Sequence, residues 1–289
     1  MKLYSLVKHI VHDKKDLSNI NIHKICTNSK NVEKGSLFVA INGEEHDGHN
    51  YINEAIENGA AAVISNGKDI GKLPVPNLRV SNTRLAASKV AAEFYNYPSK
   101  ELKIIGITGT NGKTTTASLI YSILKQANFK AAQLGTLGVI ADGFDKNKTL
   151  TTPDPITLHK ILRDLSNNSF THVVMEVSSH ALDQFRVADI DFDISIFTNL
   201  SKEHLDYHND METYFKTKSR LFRMMPITGT SIIHTDKDYG MKMKLESSAP
   251  VVSISMNNKG DIYYKDINYS LSGINGLIKA VNKKIVFNS

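Results

Sequence analysis

The stretch Gly106-Ile107-Thr108-Gly109-Thr110-Asn111-Gly112-Lys113-Thr114-Thr115 restricts what this chain can fold into more than any other part of it. It follows the apolar run Leu102-Lys103-Ile104-Ile105-Gly106-Ile107-Thr108, which reads as a strand, and leads into a helical pattern from about Lys113 to Asn128. Glycines at such a turn let backbone N–H groups surround a polyphosphate, and the following helix adds its positive N-terminal end. Lys113 is placed to reach the outer phosphates and Thr114 to set a hydroxyl on Mg²⁺. The general P-loop pattern has four residues between its first glycine and the Gly-Lys pair. Here position 107 is isoleucine and the nearest glycines are Gly106 and Gly109, so the loop is a variant. The same order of residues also suits a glycine-rich strand-to-helix turn that binds no nucleotide.

The rest of the chain supports an α/β fold. Ser36-Leu37-Phe38-Val39-Ala40-Ile41 and Ala60-Ala61-Ala62-Val63-Ile64-Ser65 read as buried strands, with a helix between them from Tyr51 to Asn58 that stops at Gly59. Thr83 to Tyr95 has apolar residues at helical spacing, with Thr83 as the expected cap. Tyr97-Pro98-Ser99 breaks that helix, which sets the expected boundary between a domain at 1–98 and one at 99–289. Beyond it, His172–Val177, Asp193–Thr198 and Ser231–His234 are further apolar strands. Strands alternating with helices predict a mostly parallel sheet covered on both faces. The last ~40 residues alternate short β-prone runs with turns at Asn257-Asn258-Lys259-Gly260 and Ser272-Gly273, which predicts an antiparallel appendage.

Composition narrows the partners. The formal net charge is +6, but no run of five or more like charges exists, so no nucleic acid is expected. No apolar stretch approaches the ~18 residues of a membrane span, and the N-terminus lacks a signal-peptide pattern. Cys26 is the only cysteine, which suits a reducing cytoplasm. A cytoplasmic monomer without membrane contact is the expectation.

Two clusters carry further chemistry. Glu176 ends an apolar strand and is followed by Val177-Ser178-Ser179-His180. A carboxylate there, beside the glycine-rich loop, is placed to bind Mg²⁺, and would also suit a solvated strand end. His204, Asp206 and His208 alternate: extended, they would share a face like a metal site, and helical, His204 and His208 would share one instead. A polar loop with two surface histidines fits them equally.

Taken together, the residues resemble the Mur ligases, within them the branch that adds the third amino acid to UDP-N-acetylmuramoyl-L-alanyl-D-glutamate. The resemblance runs from about Ser29 to about Gly240 and rests on four segments: Thr108–Thr115, Met175–His180, Thr198–His208 and Tyr214-Phe215-Lys216-Thr217-Lys218. It implies a small UDP-muramoyl substrate-binding domain followed by a central ATP-binding domain. It also implies a peptidoglycan-synthesis reaction in which ATP phosphorylates the substrate carboxylate and the amino group of the incoming amino acid attacks the acyl phosphate. The partners implied are the UDP-muramoyl-dipeptide and an amino acid, meso-diaminopimelate or L-lysine. By the same resemblance Gly109, Thr110, Asn111, Gly112, Lys113, Thr114 and Thr115 bind ATP. Thr114, Glu176, His204 and a carbamylated Lys218 hold Mg²⁺, and Lys113, Glu176, His204 and Lys218 form the catalytic set. Ser29, the loop Gly43–Gly48, Thr151, Thr152, Ser178, Gln184 and Arg186 contact the substrate. From its own setting Lys218 reads only as a helix-surface lysine and Arg186 as an ordinary surface arginine, although a guanidinium does bind anionic oxygens in a fork.

Three departures from the family pattern stand out. Asn28-Ser29-Lys30 replaces Asp-Ser-Arg, and lysine lacks the bidentate fork. His234-Thr235-Asp236-Lys237 keeps only the first Asp of an Asn-x-Asp-Asp segment. The third feature is the family's C-terminal Rossmann-like domain, which the chain does not reach, so it is expected not to turn over alone. Competing readings are a non-catalytic remnant that binds the UDP-sugar or ATP, and another P-loop enzyme such as a folylpolyglutamate synthase. The last is a metallohydrolase built on His204, Asp206 and His208.

Overall fold

Runs such as Leu37-Phe38-Val39 and Ile104-Ile105 are apolar at consecutive positions because their strands are covered on both faces. The structure, a computed structural model, describes residues 1–11, 17–43, 46–67, 70–144, 150–256, 260–270, 273–280 and 283–288. Glu44 and Glu45 of the Gly43–Gly48 loop, Asn257-Asn258-Lys259 and Ser272 lie outside the described residues.

In chain order the elements begin with α1 (Leu3–Val7), β1 (Lys24–Cys26), β2 (Ser36–Val39), α2 (Ile52–Glu57), β3 (Ala60–Ser65), β4 (Asn77–Arg79) and α3 (Thr83–Phe94). They continue with β5 (Lys103–Thr108), α4 (Lys113–Gln126), β6 (Ala131–Gly135), β7 (Gly138–Ile140), α5 (Pro155–Asn167), β8 (His172–Glu176) and α6 (Ser179–Asp183). Then follow β9 (Ile194–Phe197), α7 (Leu205–His208), α8 (Met211–Arg223), β10 (Thr230–His234), α9 (Asp238–Glu246) and β11 (Val251–Ser255). The last three are β12 (Ile262–Ser270), β13 (Gly273–Ala280) and β14 (Lys283–Asn288).

The chain divides into two compact units. The first holds Met1–Glu101 together with Pro153–Asn168 and Gln184–Ile190, two segments that come after the boundary expected at Tyr97–Ser99. The second holds Leu102–Thr152, Ser169–Asp183 and Asp191–Ser289.

In the first unit β1 to β4 form a parallel sheet in sequence order. Successive residues of β2 and β3 point to opposite faces. Leu37, Val39 and Ile64 therefore meet α1 and α3, while Phe38 and Val63 meet Ile52 and Ala55 of α2. Helix α5 packs against α3. The cap of α3 is Asn82 rather than Thr83: its side-chain oxygen accepts from Leu85 N at 3.0 Å, and Thr83 is the first helical residue. Asn and Thr both cap well, and Asn82 is the one with extended backbone. After α3, Asn96 and Tyr97 take left-handed φ of 56° and 49°. Arg163 of α5 fixes this strained turn, donating to Tyr95 O and Asn96 O (both 2.9 Å) and to both carboxylate oxygens of Glu101.

The second unit is built on a sheet in the order β14-β13-β12-β11-β10-β9-β5-β8-β6-β7. From β12 through β6 neighbouring strands are parallel, and β12-β13-β14 is the expected antiparallel appendage. Ile105, Ile107, Val174 and Ala117 of α4 form a core against the central strands. The C-terminal ends of β5, β8 and β9 lie side by side, because Ile107 pairs with both Glu176 and Ile196. Loops at that end are where an open parallel sheet binds ligands. Among the described residues no helix is long and apolar enough to cross a membrane.

Candidate active site

The glycine-rich turn has the backbone that its sequence demands. Gly109 has φ +153° and Gly112 +84°, and α4 starts at Lys113 with no side chain capping it. Its first amides face the turn, as an anion site requires. The segment after β9 holds the loop in place. Thr110 N donates to Asn199 O at 2.9 Å, Asn111 N to Asn199 Oδ1 at 3.0 Å, and Thr198 Oγ1 to Asn111 O at 2.7 Å. Thr110 Oγ1 accepts from Ser201 N at 3.0 Å.

Two lysines converge on one carbonyl. Lys113 Nζ donates to Gly109 O at 2.9 Å and to Thr110 O at 2.8 Å, and Lys218 Nζ donates to Gly109 O at 3.0 Å. Lys218 is not on the surface: it is 1% exposed and its ammonium lies 4.6 Å from the Tyr214 ring. Burial and, after it, the charge of Lys113 pull its pKa down to about 7, and burial also lowers that of Lys113. The surface reading fails because α8 turns Tyr214, Phe215, Thr217 and Lys218 into the unit, a face set by packing.

Glu176 ends β8 buried rather than solvated, at 1% exposure. Its Oε2 accepts from the Thr114 hydroxyl at 2.9 Å, and its Oε1 from Thr136 N at 2.9 Å. Thr114 and Glu176 together offer the hard oxygen donors that Mg²⁺ takes, and fit it. Lys218 as an ammonium has only donors and fits a cation only after modification. Thr115 is exposed on the first turn of α4.

The segment is not extended. His204 precedes α7 in a left-handed conformation (φ 56°) and His208 ends α7. The His180 ring packs against His204 at 5.3 Å and His208 at 5.9 Å, and His208 stacks on Tyr214 at 4.9 Å. Burial, followed by the charges of His180, Lys218 and His204, pulls the His208 pKa down to about 4. Among the described residues no group of three or more His, Cys, Asp or Glu is arranged to hold a metal ion, so the metallohydrolase reading lacks a centre.

Thr152 Oγ1 donates to Glu176 O at 2.9 Å and accepts from Ser178 N at 3.0 Å, which brings these two expected substrate residues together. Thr151 lies 3.2 Å from the Thr136 hydroxyl. Ser29, Gln184 and Arg186 belong to the first unit. Ser29 donates to Glu54 at 2.9 Å and lines a cavity of about 370 Å³ with Asn28, Lys30, His46, Gly48 and Tyr51. Gln184 Oε1 accepts from Arg186 Nε at 3.1 Å and Nη2 at 2.7 Å. Gly135, Thr136 and Asn199, which no motif in the sequence singles out as functional, lie against the expected site residues Glu176 and Asn111. The Gly135-Thr136 pair at a strand end was the available signal.

Comparison with known proteins gives the family of the chain. The model for the Mur ligase middle domain matches residues 107–289, and that for the Mur ligase family, catalytic domain, matches 21–95. A UDP-N-acetylmuramoyl-L-alanyl-D-glutamate--2,6-diaminopimelate ligase of Caldanaerobacter subterraneus subsp. tengcongensis is 39% identical over 98% of this chain and 58% of its own length. The same-named ligase of Aquifex aeolicus is 44% identical over 86% of this chain and 51% of its own. This chain thus spans little more than half the length of these relatives. A solved structure bearing that ligase name superposes with a TM-score of 0.86 at 26% identity, covering 100% of this chain and 59% of that one. A folylpolyglutamate synthase of Mycobacterium tuberculosis, at 13% identity and a TM-score of 0.54 over 71% of this chain and 53% of its own, shares the fold alone. On the match of residues 107–289 and the identity to these relatives, the chain belongs to the Mur ligase family.

Proposed function

We propose that this chain carries the UDP-muramoyl-dipeptide and ATP sites of a ligase that joins the third amino acid of the peptidoglycan stem to UDP-N-acetylmuramoyl-L-Ala-D-Glu. The amino acid we assign is 2,6-diaminopimelate, the one named for both relatives. The observation that carries the reading is the convergence of Lys113, Thr114 and Glu176 on one uncapped helix start. Lys113 exchanges its two loop carbonyls for phosphate oxygens. The amides of the loop bind the same anion, and positioning plus charge neutralisation account for most of such catalysis. Thr114 and Glu176 hold Mg²⁺, which when bound neutralises charge on the phosphates. Ser29 and its cavity take the UDP group. In the second unit Thr151, Thr152 and Ser178 are assigned to the muramoyl-peptide, and in the first unit Gln184 and Arg186 are assigned as substrate contacts. Calorimetry with Mg²⁺·ADP is expected to show micromolar binding, about −8 kcal/mol. Lys113→Ala is expected to weaken it at least ~10-fold, since a charge-assisted contact to phosphate is removed. Equal affinity in the variant would sink the assignment.

Lys218 is assigned as a carbamate. Burial and Lys113 hold its amine near half-neutral at pH 7, and a neutral amine adds CO₂ at carbon with loss of one proton. The product carries two oxygens where the ammonium had only donors, and so would be able to hold a cation. ¹³C-bicarbonate is expected to give a carbamate carbon resonance that disappears in Lys218→Arg. Its absence from the wild-type spectrum would overturn the assignment.

A further inference from the structure

Glu176 is tied into a chain of hydroxyls that reaches Thr151. Thr136, in the turn between β6 and β7, gives the carboxylate its amide N–H at 2.9 Å and its hydroxyl at 3.3 Å. The same hydroxyl lies 3.2 Å from Thr151 Oγ1. A hydroxyl has one proton, and an ionised carboxylate only accepts. With the Thr136 proton given to Glu176, the 3.2 Å contact, in which either hydroxyl can donate, is made with the proton of Thr151. In that arrangement Thr151 presents lone pairs and no proton outward. The approach of the carboxylate to this turn depends on Gly135, where a Cβ would sit 2.1 Å from Glu176 Oε1.

We propose that Thr136 is a positioning residue: by taking the Thr151 proton and giving its own to Glu176, it makes Thr151 a hydrogen-bond acceptor only. The ligand group seated on Thr151 is then a donor, an amide N–H or a hydroxyl, and not a carboxylate oxygen. This rests on the reading of Thr151 as a muramoyl-peptide contact. It adds a direct link between that contact and the carboxylate assigned to the cation.

The test is calorimetry on the whole chain, with UDP-N-acetylmuramoyl-L-Ala-D-Glu and with Mg²⁺·ADP as separate probes. Thr136→Val, Thr151→Val, the double variant and Thr136→Ser are compared. Thr136 is exposed and valine keeps its amide bond to Glu176, so the fold is retained, which a melting curve verifies. Each valine variant is expected to weaken the UDP compound about fivefold, the double no further than the worse single, and serine to restore binding. Thr136→Val also weakens Mg²⁺·ADP severalfold, whereas Thr151→Val does not. Losses that multiply in the double variant, or valine at 136 without effect on either probe, overturn the proposal. If the wild-type chain does not bind the UDP compound, the substrate reading has failed. The link at the carboxylate is then decided by Mg²⁺·ADP alone: weakening by valine restored by serine supports it, and equal affinity overturns it.

Discussion

Gly109→Ala is expected to abolish Mg²⁺·ADP binding, by a factor of at least ~100, and to destabilise the second unit by about 2–4 kcal/mol. Two effects add. The φ of +153° is a conformation that side chains with a Cβ rarely adopt. A Cβ there would also lie 2.0 Å from Thr198 Oγ1, and 3.0 and 3.1 Å from the Asn199 backbone O and N. Those atoms cannot yield cheaply, because Thr198 Oγ1 and Asn199 are the groups that hold Asn111. The alanine must therefore move the carbonyl on which Lys113 and Lys218 converge. Gly112→Ala is the control: its φ of +84° carries strain, but among the described residues no neighbour outside the adjoining backbone lies within 4 Å of its Cβ. That substitution is expected to cost only about 1–2 kcal/mol. Thermal melts and calorimetry on both variants check the ordering. An alanine at 109 that binds Mg²⁺·ADP within threefold of wild type would show that the loop is not held by this contact.

The contrast between these glycines shows which parts of the site could be read from sequence. The strand, turn and helix around Lys113 are local, so adjacent residues encode them and their order is diagnostic. Glu176 was legible as a strand-end carboxylate, but its burial was not. That depends on β6 and β8 pairing Leu134 with Met175, which brings Thr136 to the carboxylate from 40 residues away. The histidine segment stayed ambiguous because a period of two and a helical turn both fit His204, Asp206 and His208. The left-handed backbone at His204, which decides between them, has no composition signal. Lys218 was misplaced for a similar reason: its neighbours Lys216 and Arg220 are polar, and only the docking of α8 shows which stripe turns inward. The first unit was legible as an α/β sheet, whereas the recruitment of α5 to α3 depends on packing between segments distant in the chain.

Acidification is expected to weaken the first unit well before its carboxylates protonate, and His159 is the cause. This residue of α5 is 0% exposed, and neither ring nitrogen has a hydrogen-bond partner among the described residues. Burial alone lowers its pKa from 6.5 to about 4. The folded pKa lies below the unfolded one, so between those values the unfolded chain binds the extra proton. Stability from neutral His159 is fully present above about pH 6.5 and is lost as pH falls toward about 4, for about 3 kcal/mol in all. His159→Leu fills a similar volume and leaves no unpaired nitrogen. It is expected to be at least as stable as wild type at pH 7, where a buried unsatisfied polar group costs about 1–3 kcal/mol. At pH 5 the variant should lead by more, since it has lost one proton-linked term. His208 shifts in the same direction in the second unit, so the wild-type curve alone does not isolate the effect. The decisive quantity is the difference between variant and wild-type urea midpoints from pH 7.5 to 4.5. A gap that widens on acidification assigns the term to His159, and parallel curves would mean that the imidazole finds a proton partner when the unit is in solution.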